Sequence, residues 1–211
     1  MVGSGPAQPA MPHRDHKWLV AQAKLQPPLE PKNTVSSFAD WVFNLYHPNG
    51  RFFSESIAEG KYVEFAIERS HRLKAHPPVD TKKYTLEFAD PLDRSSRPYE
   101  ISSLTLDGKP LFGIPDVVFR EKRAGHIVIM ERKVTRSTPN EWPNLKVQLW
   151  CYGKIDNWRA APDVLLLGSI YHPDKYDMKH SVPVGPWARS DKAFDAQCRE
   201  LFELFGGQVS A

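Results

Sequence analysis

With 211 residues, 41% of them hydrophobic and 25% charged, the chain has the length and composition of one globular domain with a core of its own. Its net charge of +3 is compatible with a polyanionic partner but far from a histone-like field. Two cysteines, Cys151 and Cys198, are too few for a four-cysteine zinc site, an iron–sulfur cluster or a disulfide framework, and no apolar run reaches the roughly 18 to 20 residues needed to span a bilayer.

Residues 1–32 carry six prolines around the patch "HKWLVAQAKL", which suggests a partly flexible arm with a helical turn or two. The arm has no apolar signal core, so a cytoplasmic, membrane-free protein is expected. A single folded domain over 33–211 then opens with a helix capped by Thr34 or Ser36 and ended by Pro48 and Gly50. A second helix is expected from Ser54 to the stop at Pro77 and Pro78.

Between residues 84 and 134 the texture becomes β-branched, aromatic and turn-separated, which predicts a meander of three or four antiparallel strands. Helical signals return after Thr138, Pro139 and Glu141, a capping box with proline at the first helical position. "DVLLLGSIYH" reads as a buried strand, and "SDKAFDAQCRELFELFGG" as an amphipathic helix ended by glycine. The order α-α-β-β-β-α-β-α defines an α/β domain with a central mixed sheet flanked by helices.

The chemistry concentrates in "LFGIPDVVFREKRAGHIVIMERK". An acid-x-lysine triplet alone means little, since it also occurs at Asp15, Glu30, Glu59, Asp80, Asp107 and Asp177, but only at Glu131 and Lys133 does it end an apolar strand. Alternation puts Glu131 and Lys133 on one face and the Arg132 side chain on the other. A turn centred between Arg123 and Ala124 pairs positions that sum to 247, which sets Asp116 opposite Glu131 with β-carbons about 5 Å apart. Two carboxylates that close repel unless a cation lies between them or one is protonated. Mg2+ suits such a site, with Asp116, Glu131 and the Arg132 backbone carbonyl as oxygen donors. Lys133 beside it would orient or deprotonate water. The competing reading is an ordinary solvated ion pair at a strand end.

Two helices show breaks in otherwise apolar stripes. Leu145, Gln148, Leu149 and Tyr152 fall at i, i+3, i+4 and i+7, so Gln148 interrupts a core-facing surface where a buried amide needs partners. In the second expected helix Ile57, Gly60, Glu64, Ile67 and His71 share one line, and Gly60 would open an approach to Glu64.

"GIPD", "IVIMERK" and "QLWCY" resemble motifs of the PD-(D/E)XK nuclease superfamily, and Gln148 with Tyr152 resembles its RecB-like and lambda-exonuclease-like branch. The resemblance covers residues 56–171. It implies a restriction-endonuclease-like core holding one or two Mg2+ or Mn2+ ions through Asp116 and Glu131, with Lys133 as the lysine. Glu64 would join through a water, and Gln148 and Tyr152 would help position helix and substrate. The cluster-binding cysteines of some RecB-like nucleases are absent, which excludes an iron–sulfur subtype, and the absence of HExxH disfavours zinc.

The leading expectation is a Mg2+-dependent DNA nuclease, an exonuclease on single- or double-stranded ends. Arg69, Arg72, Lys74, Lys122, Arg123, Arg136 and Lys146 are candidate phosphate contacts. Trp142, Trp150, Trp158 and Trp187 are either stacking surfaces or core. A noncatalytic nucleic-acid-binding module with this fold and a structure- or site-specific endonuclease remain alternatives, and ring-forming relatives leave a homo-oligomer open.

Overall fold

The computed structural model describes residues 14–46, 80, 82–89, 97–134, 142–171 and 182–210. Among them are four α-helices and eight strands. In chain order these are α1 (His16–Leu25), α2 (Val35–Tyr46), β1 (Tyr84–Ala89), β2 (Tyr99–Leu106), β3 (Lys109–Gly113), β4 (Val117–Glu121), β5 (Ile127–Val134), α3 (Pro143–Tyr152), β6 (Val164–Tyr171), β7 (Val182–Ala188), α4 (Lys192–Leu204) and β8 (Gly207–Val209). The expected helix from Ser54 to Pro77, and the expected cap at Thr138, Pro139 and Glu141, lie outside the described residues.

The chain folds as an α/β structure with a mixed central sheet of order β1-β4-β5-β6-β7. β5 runs parallel to β6, and the other neighbours are antiparallel. A second, antiparallel sheet has the order β3-β2-β8. The expected simple meander is therefore corrected. β1 pairs with β4, while the β2–β3 hairpin leaves for the other sheet.

Pro115 explains the split. The run "LFGIPDVVFRE" reads as one strand, but a proline has no N–H to give to a ladder, so β3 stops at Gly113 and β4 starts afresh at Val117. The two halves belong to different sheets, and Asp116 falls immediately before β4.

Local signals account for the helices. Thr34 Oγ1 accepts from Ser37 N at 3.2 Å and caps α2 as expected. The N-terminal patch forms ten helical residues, longer than the expected turn or two, because Asp15 caps Trp18 N at 2.9 Å and Leu19, Val20 and Ala23 are buried. Gly206 ends α4 region at φ +94°. β7 escaped the sequence reading because "VPVGPWA" carries two prolines, a composition tolerated at the sheet edge it occupies. β8 is only three residues long.

One core joins the helices to the central sheet. Ile127, Ile129 and Val118 face α3 across the sheet, and an aromatic group of Phe38, Trp150, Phe202 and Phe205 packs α2, α3 and α4 together. A smaller cluster of Val117, Phe119, Val128 and Met130 lies on the opposite face of the sheet. Among the described residues no helix is long and apolar enough to cross a membrane.

Candidate functional site

β5 is the middle strand of the central sheet, but its C-terminal half, Glu131 to Val134, is paired with β6 alone, because the ladder to β4 ends at Val117↔Met130. Its pairing with β4 runs Arg120↔Ile127, Phe119↔Val128, Val118↔Ile129 and Val117↔Met130, each pair summing to the 247 expected from the turn. The turn itself uses Gly125 at φ +74°. The next step of this register brings Asp116 alongside Glu131. Asp116 Oδ2 accepts the backbone N–H of Arg132 at 2.6 Å, so its carboxylate is fixed to β5.

Glu131 is 3% exposed. Its Oε1 accepts from Lys133 Nζ at 2.6 Å and from Gln148 Nε2 at 2.6 Å. The same amide nitrogen donates to the Tyr152 hydroxyl at 3.0 Å. Gln148 is thus a satisfied interruption of the apolar stripe, and its partners are the strand-end acid and the tyrosine one turn on. Burial pushes the Tyr152 hydroxyl well above its ordinary pKa; the Glu131 and Asp116 charges push the same way, against the hydrogen bond from Gln148. Tyr152 is accordingly a neutral phenol at any physiological pH.

Two glycines let α3 come this close. Gly168 pairs with Glu131 across β5 and β6, and a Cβ there would lie 2.7 Å from Leu145 Cδ2 and 3.0 Å from Val184 Cβ. At Gly113 a Cβ would lie 2.7 Å from both Tyr152 Cε1 and Val35 Cγ2. Side chains at either position would push the helix bearing Gln148 and Tyr152 off the sheet.

The Arg132 side chain points to the opposite face, as alternation predicts, but it is 2% exposed and its Nε lies 3.7 Å from Asp116 Oδ2. The sequence reading used only its carbonyl. Its place in an apolar strand next to an acid was the available signal. On α2, partial burial raises the Asp40 carboxyl pKa, and the Lys133 charge opposes that rise.

Asp116, Glu131, Lys133, Gln148 and Tyr152 are therefore brought together, with Arg132 behind them. Glu64 lies outside the described residues, as do Arg69, Arg72, Lys74 and Arg136. Trp150 and Trp158 are buried at 2% and 3% exposure, so they belong to the core, whereas Trp142 and Trp187 are only partly buried.

No family model matches the chain, and no curated protein matches it. A solved structure described as "Crystal structure of SSO0001" is similar over 89% of this chain and 85% of its own, at 15% identity and a TM-score of 0.39. A likeness at that level carries no argument about chemistry.

Proposed function

We propose that the chain is a metal-dependent DNA nuclease with a PD-(D/E)XK-like core, acting as an exonuclease on DNA ends. The observation that carries this reading is the convergence of Lys133 Nζ and Gln148 Nε2 on one oxygen of a 3% exposed Glu131, beside Asp116. A solvated strand-end ion pair would not need such an arrangement. Burying a carboxylate is costly unless donors or a cation hold it.

The donor set fits Mg2+, which takes hard oxygens, keeps several waters and needs only one or two carboxylates; Asp116, Glu131 and the Arg132 carbonyl are donors of that kind, and Mn2+ would serve in its stead. Among the described residues no group of three or more His, Cys, Asp or Glu is gathered. In this reading water fills the remaining positions, and Glu64, outside the described residues, joins through a water only as the resemblance implies. When bound, the ion supplies Lewis acidity toward a phosphoryl oxygen and a more acidic water.

The chain's own residues do the rest. Lys133, tethered to Glu131 yet with a side chain 27% exposed, can orient the attacking water or donate to a phosphate oxygen as the ammonium, and would take a proton from that water only in its neutral form. Gln148 fixes the rotamer of Glu131, and neutral Tyr152 fixes Gln148. Lys122 and Arg123 are exposed in the β4–β5 turn, at the opposite end of β5 from Lys133, so any phosphates they touch would lie well away from the bond being cut.

The test is digestion of linear, closed circular and single-stranded DNA by wild type, Glu131→Ala and Lys133→Ala with Mg2+, Mn2+ or EDTA. Loss of linear but not circular DNA, abolished by EDTA and by either substitution, is the expected result. Cutting of closed circles would replace the exonuclease reading with an endonuclease. Equal, negligible activity of all three proteins on every substrate, RNA included, would leave a noncatalytic binding module.

A further inference from the structure

A cavity of about 370 Å³ lies between α1, α3, α4 and β7, on a different side of α3 from the site above. Lys146 lines it and Gln148 does not; the two residues are about 200° apart around the helix. Its volume suits a small organic ligand rather than a macromolecule.

Its chemistry is one-sided. Arg14 lines the cavity with its guanidinium 4.9 Å from the Trp18 ring centroid and 5.5 Å from that of Tyr46; it donates to the Tyr46 carbonyl, and its Nε is buried with no acceptor. Lys146 donates to the neutral Gln197 amide and lies 5.9 Å over the Phe194 ring. Neither cation is paired with a carboxylate among the described residues. Trp142, at the start of α3, contributes an indole Nε1 that is also buried without an acceptor.

The other charges at the cavity are already engaged. His16 is paired with Glu200 at 2.9 Å, and Asp15 accepts from Trp18 N at the start of α1 but keeps its negative charge, so the two cations outnumber one carboxylate in the lining. The unspent groups are therefore donors and cations, which call for an acceptor-rich anion. The walls are flat and aromatic as well. Trp187 is held by stacking on Phe194 at 5.0 Å and 11°, and Trp142 faces the same space. Indole faces accept planar rings without demanding a particular one.

We propose that this cavity is a mononucleotide site, in which Arg14, Lys146 and the Trp142 N–H hold the phosphate and the indole walls hold the base. The site uses none of Asp116, Glu131, Lys133, Gln148 and Tyr152, although Lys146 and Trp142 were candidate DNA contacts, and it stands whether or not the chain cuts DNA. Binding is noncovalent, and no bond to the ligand is made or broken.

The experiment is titration of the full chain in EDTA with adenosine 5′-monophosphate, adenosine and inorganic phosphate, followed by calorimetry and tryptophan fluorescence. One saturable site for the monophosphate is expected, with adenosine and phosphate each at least about tenfold weaker because each satisfies half of the cavity. Arg14→Gln with Lys146→Gln should weaken the monophosphate by at least about tenfold, as loss of charge-assisted hydrogen bonds does. Trp142→Phe keeps a ring but removes the N–H, and a weaker, still saturable site is expected. Absence of saturation in wild type overturns the proposal. Undiminished binding by both variants overturns the location, and phosphate binding as tightly as the monophosphate overturns the base-stacking half.

Discussion

Gln148→Leu is the substitution that probes the site most directly, because it keeps the size of the side chain and removes only its hydrogen bonding. The lost bond to Glu131 is 2.6 Å long and charge-assisted, and the bond to Tyr152 is 3.0 Å and neutral. A charged-group bond contributes about 1.5–3 kcal/mol and a neutral one about 1 kcal/mol, so the variant should lose about 2–4 kcal/mol. For a chain of this length that lowers Tm by roughly 5–15 °C. The diagnostic comes from adding Glu131→Leu. Removing both partners leaves no orphaned carboxylate, and Lys133 can still reach water; the Tyr152 hydroxyl loses its donor in the single and the double variant alike and cancels, so the double variant should recover about 1.5–3 kcal/mol relative to the sum of the singles. Urea denaturation followed by circular dichroism measures all four proteins. A coupling below about 0.5 kcal/mol would refute the claim that Gln148 serves the strand-end carboxylate.

Gly168→Ala should destabilise by about 1–3 kcal/mol, because the new methyl meets the Val184 Cβ, which cannot swing aside. It should also reduce the proposed nuclease activity more than an equally destabilising core substitution elsewhere, since the same methyl presses on Leu145 of α3, the helix that holds Glu131; equal losses would argue against a positioning role. The carboxyl of Asp195 offers a pH test. Burial alone would raise its pKa, but hydrogen bonds from Lys154 at 2.7 Å and Trp150 at 2.8 Å hold it below its ordinary 3.8. A depressed folded-state pKa stabilises the fold above the unfolded value and ceases to as pH falls through the folded one. The stability gap between wild type and Asp195→Asn should therefore be widest at neutral pH and close progressively below about pH 4; a gap that does not change with pH contradicts this.

The local features of the fold were readable because neighbouring residues determine them. The β4–β5 register followed from the turn and the pleat, the α2 cap from the choice of Thr34 or Ser36, and the need of Gln148 for buried partners from the stripe it interrupts. What escaped was decided by distant residues. Nothing near β1 says that it pairs with β4 rather than β2, and the two prolines of "VPVGPWA" suit an edge without saying that a strand forms there. Pro115 sits inside a run that reads as one strand, and its effect on the ladder shows only in β3 and β4 belonging to separate sheets. Gly168 and Gly113 are unremarkable in sequence, since their meaning depends on a helix that packs from elsewhere. Asp40 likewise lies 93 positions from the lysine whose field it feels.

The bond between Asp116 and the Arg132 N–H has an architectural meaning of its own. The backbone ladder of the hairpin ends at Val117↔Met130, and the Asp116 side chain ties the mouth of the hairpin where the main chain has let go. Alanine at 116 would unfasten that mouth as well as remove a charge. Asparagine would discharge the position and keep it fastened, so the pair of substitutions separates, at a single residue, what the hairpin needs to stay shut from what a cation would need to settle there.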